Sequence, residues 1–303
     1  MLFRFRSAPP RHRAHLWDRV PETGWGDTLQ TLEAITAAWR RYAASPIDAH
    51  VSAHEDMIGT EPGAAEGYRQ VGLTALRAVT EAMLLTGRTR FDDILDLPCG
   101  AGRVTRHLRA FFPEARLHAA DIDRAKLADV VRQFGAEPFE CPPDFRGDPA
   151  RRFDLIFSGS LLTHFDADLF EHAVDFFVRA LEPGGIAILT LHGRSSATLS
   201  SAPEALARQE RVAADFRAHM KQEGKRYRVK LDAGKALADF AAEGFGYYMS
   251  PAWTSMYGQS YGGSYSAPAW VMRLFEQRAD CLVVGFKEKS YGDMQDVVTV
   301  RKL

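Results

Sequence analysis

The stretch Ile94-Leu95-Asp96-Leu97-Pro98-Cys99-Gly100-Ala101-Gly102-Arg103-Val104 reads as a buried strand, a turn of small residues and the opening of a helix. Glycines at 100 and 102 let the backbone approach a ligand without a Cβ in the way. Asp96 ends the strand, which is where open parallel sheets bind their ligands, and a carboxylate there suits a ligand with a positive amino group.

Around this stretch short apolar runs alternate with amphipathic segments. Strands are expected over 92–97, 116–121, 137–141, 153–158 and 186–192, with helices near 102–112, 124–134 and 167–181 between them. Pro183-Gly184-Gly185 reads as a turn ahead of the fifth strand. Such alternation predicts an α/β fold, a parallel sheet with helices on both faces.

Upstream, Leu29, Leu32, Ile35, Ala38 and Trp39 recur at helical spacing, with Asp27 as a candidate N-cap and Pro46 as a stop. A second helix is expected over 64–86, ending near Gly87. Residues 1–87 are therefore read as a helical N-terminal extension and 88–303 as the sheet domain. Beyond residue 192 the rhythm breaks. Helices are expected over 197–223 and 232–243, around a cationic run from Lys221 to Lys230. A segment rich in Tyr, Trp, Gly and Ser follows. The stretch 193–267 reads as an insert or lid, ahead of a last helix and two strands near 280–288 and 295–301.

Asp121 ends the second expected strand, about 20 residues past the glycine turn, where a carboxylate can accept hydrogen bonds from ribose hydroxyls. Ile122 beside it can cover an adenine ring. A dinucleotide remains an alternative ligand. Against it, the third fingerprint glycine is replaced by Thr105, and Asp96 would repel a pyrophosphate. Geometry thus favours S-adenosylmethionine (SAM), with S-adenosylhomocysteine (SAH) as product, over a nicotinamide cofactor.

DLPCGAGRV (96–104) resembles the SAM-binding loop of class I methyltransferases, especially a bacterial subgroup with Pro-Cys-Gly in the loop. AADIDR (119–124), FDLIFSGSLLTHF (153–165), LEPGGIAILTLHGR (181–194), GFGYYMS (244–250) and QDVVTVRK (295–302) fit the same subgroup. The resemblance implies a Rossmann-like methyltransferase sheet, mostly parallel, with an antiparallel last strand. It implies that Asp96 and Gly100 face the methionine moiety, that Asp121 holds the ribose, and that Glu140 and Cys141 approach the adenine. Ser158, Gly159 and Ser160 would line the sulfonium side. Pro98 departs from the general motif and has no N–H, so the backbone around Cys99–Gly102 would have to supply the loop's donors. Arg103 reads as a cap on the site, a holder of a substrate acid, or a surface arginine.

Methyl transfer needs a nucleophile placed in line with the methyl and, for a hydroxyl, a proton acceptor. His192, ending the fifth strand, is the first candidate and His164 the second. Tyr247, Tyr257, Tyr261 and Trp270 could floor an acceptor pocket, or form an aromatic mini-core. The acceptor is expected to be a small molecule or glycan-type hydroxyl. Alternatives are a nicotinamide-dependent oxidoreductase and a non-catalytic SAM-binding scaffold.

With 46% hydrophobic residues, 25% charged residues and a net charge of −1, nothing global points to a nucleic-acid partner. No apolar run reaches a membrane span. Cys99, Cys141 and Cys281 form neither a metal-ligand spacing nor a disulfide framework, so no metal is expected. A cytoplasmic protein, in a form that could be a homodimer, is the expectation.

Overall fold

Strands buried on both faces explain the apolar runs. Ile94, Leu155, Phe157, Ile186, Ile188 and Val297 face one apolar cluster, while Leu95, Ile156, Ala187, Leu189, Val298 and Val300 face a second. This period-two division is what a strand between two helical layers requires. The structure is a computed structural model and describes residues 25–59, 62–222, 232–249 and 261–303.

In chain order, helices α1 (Trp25–Ala44) and α2 (Ala64–Thr86) precede β1 (Asp93–Asp96). Then follow α3 (Thr105–Phe111), β2 (Arg116–Ala119), α4 (Arg124–Phe134), β3 (Glu137–Pro138), β4 (Phe153–Ser158) and a 3-10 turn at Leu162–His164. Next come α5 (Ala167–Arg179), β5 (Leu181–Leu191), α6 (Arg194–Ser200), α7 (Pro203–Gln222) and α8 (Ala233–Glu243). The chain closes with β6 (Phe245–Met249), β7 (Gly262–Ser266), α9 (Pro268–Glu276), β8 (Cys281–Tyr291) and β9 (Gln295–Lys302).

Seven strands form one sheet in the order β3-β2-β1-β4-β5-β9-β8. Strands β1 to β5 pair in parallel, whereas β9 lies antiparallel between β5 and β8. The Rossmann-like sheet with an antiparallel last strand is therefore present. Strand order reverses between β1 and β4, and the loops after those strands meet at the carboxyl end of the sheet. A separate two-stranded antiparallel sheet joins β6 to β7. Its Ser266 N–H donates to the His192 carbonyl at 2.8 Å, and its Ser264 hydroxyl to the Leu162 carbonyl at 2.9 Å. The small sheet thus sits on the rim of the large one.

Helices α1 and α2 share the first apolar cluster with α3 and α4. Their phase differs from expectation. The buried stripe of α1 is Thr31, Ile35, Ala38 and Tyr42, whereas Leu29 and Leu32 are exposed. Asp27 lies within the helix, so it is not the N-cap. Gly87 ends α2 in the left-handed conformation, its N–H bonded to the Met83 carbonyl. The expected helix over 197–223 is two helices, since Pro203 opens the second and its ring disfavours a helical residue before it. Pro183-Gly184-Gly185 lies inside β5 and not ahead of it, where the pairing with β4 shifts register. Among the described residues no helix is long and apolar enough to cross a membrane.

Candidate cofactor and acceptor site

The carboxyl ends of β1, β2 and β4 border a cavity of about 740 Å³. Its floor is the turn after β1. Gly100 takes a φ of +51°, open to a glycine at low cost, and Gly102 a φ of +85°. A Cβ at Gly102 would lie 2.3 Å from the Phe134 ring of α4. Gly102 therefore serves helix packing, and it does not line the cavity as expected; Pro98, Cys99, Gly100, Ala101 and Arg103 do.

The loop's own donors are engaged inside the protein. Cys99 N–H donates to the Ala120 carbonyl at 3.0 Å, and Gly102 N–H to the Cys99 carbonyl at 3.0 Å. Gly100 N–H donates to Asp121 Oδ2 at 2.8 Å. Three N–H groups of the Cys99–Gly102 stretch are thus engaged inside the protein. Asp121 also accepts from Asp123 N–H at 2.8 Å, so it braces the loop while its carboxylate faces the cavity. Burial raises its pKa, and the two backbone N–H groups oppose that. Ile122 lines the cavity with 58% of its surface exposed, an apolar side chain lacking a cover.

Asp96 is 2% exposed. Its Oδ2 accepts from the Thr105 hydroxyl at 2.6 Å, while its Oδ1 is buried without a partner. Burial pushes its pKa up to about 7, with Asp121 adding to the rise and Thr105 opposing it. Thr105, at the position of a third fingerprint glycine, is thus the group that orients Asp96. An ammonium beside Oδ1 would satisfy the orphaned atom. Asp96 itself does not line the cavity, whereas Leu97 and Pro98 beside it in sequence do. The cavity-facing Ile122 and Asp121 fit the adenine and ribose parts of SAM, and the orphaned Asp96 oxygen lies beneath the wall as a buried acceptor suited to an ammonium.

Glu140 and Cys141 line the cavity. Glu140 is exposed and pairs with Arg124 at 3.2 Å; burial pushes the Cys141 thiol up to about 12, so it stays protonated. Burial likewise raises the pKa of Cys99, which packs in the core beneath the loop. Gly159 and Ser160 line the cavity, but Ser158 does not: it is fully buried, with an unpartnered hydroxyl. Ser160 has a φ of +60°. A closed ring holds it there, from Ser160 N–H to Thr190 Oγ1 (2.7 Å), Thr190 hydroxyl to Gln295 Oε1 (2.6 Å), and Gln295 Nε2 to Ser160 Oγ (2.9 Å).

Of the two histidines, His164 lines the cavity and His192 does not. His164 Nδ1 lies 2.7 Å from the Gly262 carbonyl, so that nitrogen carries the proton, and its ring stacks on Tyr261 at 4.4 Å. His192 packs beside Tyr265 of β7, their ring centroids 6.2 Å apart. Burial holds both well below the ordinary imidazole range, at about 4. Of the expected acceptor residues, Tyr261 lines the cavity. Tyr247 and Trp270 do not: the Tyr247 hydroxyl is buried without a partner, and Trp270 stacks on Phe245 at 4.3 Å within the second apolar cluster. Tyr257 and the cationic residues Lys225 to Lys230 lie outside the described residues.

The N-terminal part contributes residues that sequence patterns missed. Glu55, Asp56 and Met57 line the cavity. They belong to an irregular strap between α1 and α2, which lies on α3 and α4. Arg106 donates to the Asp48 and His50 carbonyls at 2.7 and 3.0 Å, and Lys126 to Asp56 at 2.8 Å. Asp129 accepts from the Ser52 hydroxyl and lies 2.8 Å from His54 Nδ1. No periodicity marks such a strap. The Ser52–His54–Asp56 run of polar residues is its one sequence signal.

Residues 95–187 match a family model described as a methyltransferase domain. None of the curated proteins matches the chain. Among solved structures, the chain is similar to the N-methyltransferase NodS from Bradyrhizobium japonicum in complex with SAH, with 14% identity and a TM-score of 0.43, over 89% of this chain and 98% of that one. It is similar to the Burkholderia thailandensis 1,6-didemethyltoxoflavin-N1-methyltransferase, with 17% identity and a TM-score of 0.46, over 85% of this chain and 98% of that one. An O-methyltransferase family protein from Burkholderia thailandensis aligns at 14% identity and a TM-score of 0.45, over 91% of this chain and 71% of that one.

Proposed function

We propose, for a chain that carries a class I SAM-dependent methyltransferase domain, that the acceptor is a small molecule or glycan-type hydroxyl and that His164 receives its proton. One observation carries the reading. His164 is the candidate histidine on the cavity wall, and its Nδ1–H is tied to the Gly262 carbonyl. That bond fixes the tautomer, so the lone pair resides on Nε2.

SAM supplies a methyl group on a sulfonium, an already good leaving group. The protein therefore needs no acid. It needs orientation of the nucleophile and a place for one proton. With a pKa near 4, His164 is neutral throughout the neutral range and in its accepting form. Its basicity is modest, yet a hydroxyl proton becomes strongly acidic as the oxygen gains a third bond, to the transferring carbon. A weak acceptor suffices once the bond is forming. Tyr261, stacked on the imidazole, and Phe165 and Leu161 nearby offer an apolar wall that keeps the proton transfer away from bulk water. His192 keeps the β7 end of the small sheet on the rim and is assigned a supporting role in place of the proton transfer.

The test is a panel of hydroxyl and amine compounds assayed for SAH release, then His164→Ala on any acceptor found. Loss of about 100-fold or more in turnover, with SAH affinity unchanged, is the expected outcome. An acceptor methylated by the variant at the unaltered rate refutes the proton role. Methylation confined to amines refutes the hydroxyl.

A further inference from the structure

The amino-acid end of the cofactor presents an ammonium and a carboxylate. Asp96 Oδ1 answers the first. The second requires N–H or O–H donors, and those of Cys99, Gly100 and Gly102 are engaged with Ala120, Asp121 and Cys99. Two side chains on the same wall offer donors. Arg103 follows the loop directly and lines the cavity, and among the described residues no carboxylate lies within ion-pair distance of it. Its guanidinium sits over the Tyr68 ring, 5.7 Å from the centroid. The carboxylate of Glu55 nearby is occupied, accepting from Met57 N–H and from the Tyr68 hydroxyl, each at 2.6 Å.

Tyr291 comes from the far end of the chain, at the last residue of β8, and lines the same cavity although it is 3% exposed. Its ring packs on Phe157 of β4 at 5.7 Å, and its hydroxyl lies 3.2 Å from where a Cβ on Gly159 would be. A bulkier residue at 159 would therefore close the approach to it. Arg103 lies within electrostatic reach of this phenol. A guanidinium can only donate, so toward Arg103 the phenol oxygen can act only as an acceptor, and its proton is left for another partner. A cation and an O–H donor thus stand side by side at the cavity, within electrostatic reach of Asp96.

We infer that Arg103 and Tyr291 together bind the α-carboxylate of the cofactor, completing with Asp96 a clamp for a zwitterionic amino-acid end. This rests on the cofactor reading above. It gives Tyr291, distant in sequence from the glycine loop, a binding role, and it explains a buried phenol and a cavity arginine that has no ion pair among the described residues.

The experiment is calorimetric titration of the full chain with SAH and, in parallel, with 5′-methylthioadenosine, which keeps the adenosine and the thioether but lacks the amino-acid end. Tyr291→Phe preserves the ring packing, and Arg103→Met preserves most of the arginine's apolar length. Each is expected to weaken SAH about five- to fiftyfold while leaving 5′-methylthioadenosine within twofold. Equal losses for both ligands would mean a structural role, and unchanged SAH affinity would mean none; either overturns the proposal. If the unaltered protein binds neither ligand, the cofactor reading itself fails. If it binds both and the variants do not discriminate, only the clamp fails.

Discussion

Asp96 makes SAH binding depend on pH in a direction and size that can be worked out. Its pKa stands at about 7 because burial disfavours the ionised carboxylate. An ammonium at Oδ1 binds the ionised form, so the bound state has a lower pKa than the free state. Affinity then falls as pH drops through 7, because part of the binding energy goes into removing a proton from Asp96. With a free-state pKa of about 7 and a bound-state value well below 6, the protein binds SAH about tenfold more weakly at pH 6 than at pH 8, or about 1.4 kcal/mol. Titration calorimetry reads this twice, as a shift in Kd and as a proton release that makes the heat depend on the buffer. Asp96→Asn keeps an acceptor for the Thr105 hydroxyl but cannot ionise. It should bind SAH weakly at both pH values, with no slope. Stability moves the other way. An acid whose folded pKa is raised holds its proton more tightly when folded, so folding loses stability as pH rises from about 4 to 7 and stays lowered above. Asp96→Asn removes that penalty, and the ligand-free variant should melt higher than the unaltered protein at pH 8, with a smaller gain at pH 5. A pH-independent SAH affinity in the unaltered protein, or the same slope in the variant, refutes the reasoning.

Other outcomes follow from the same geometry. Gly102→Ala places a Cβ against the Phe134 ring at a φ of +85°, and should cost about 2–4 kcal/mol, read as a lowered Tm in thermal denaturation. Asp121→Ala removes a cavity carboxylate that also braces Gly100, and calorimetry should show SAH weakened by about 1.5–3 kcal/mol. His192→Ala should leave SAH affinity and most turnover in place, since the ring lies off the cavity; a loss as deep as that of His164→Ala would restore it as the proton acceptor. Asp129→Ala frees the strap from α4, so limited proteolysis between residues 46 and 57 should accelerate and SAH should dissociate faster in stopped-flow measurements.

What was legible in the sequence was what depends on local pattern. The run from Ile94 to Val104, the spacing to Asp121, and the alternation of short apolar runs with amphipathic helices fixed the parallel sheet and its cofactor edge, because each strand there is buried on both faces and carries its own apolar run. Misreadings arose where a second segment decides. Gly102 looks like a ligand-facing glycine until Phe134 is seen against it. His192 occupies a plausible rim position, yet β7 packs against it through Tyr265 and the Ser266 N–H bond to its carbonyl. Leu29 and Leu32 fit a helical period, but α2 and α3 pack on the Thr31–Ile35–Ala38–Tyr42 side. Trp270 and Tyr247 belong to a set of aromatic residues of which some must fill the small core, and composition cannot divide them.

The same reasoning explains why the cavity draws on three distant parts of the chain. A Rossmann-like loop can present only a few backbone donors, and here at least three serve its own shape. Recognition of a charged ligand end must then come from side chains, and the sheet order determines which can arrive. Tyr291 reaches β4 because β8 turns into β9, and β9 is inserted beside β5. Glu55 reaches it because α2 packs on the sheet face near β8 and carries the preceding strap over α3. The site is therefore completed by elements before and after the matched methyltransferase segment. A chain cut to residues 95–187 would keep Asp96, Arg103 and Asp121 but lose Glu55 and Tyr291. Variation in the cofactor's hold, and in the acceptor admitted, is then expected to lie outside the segment by which the domain is recognised.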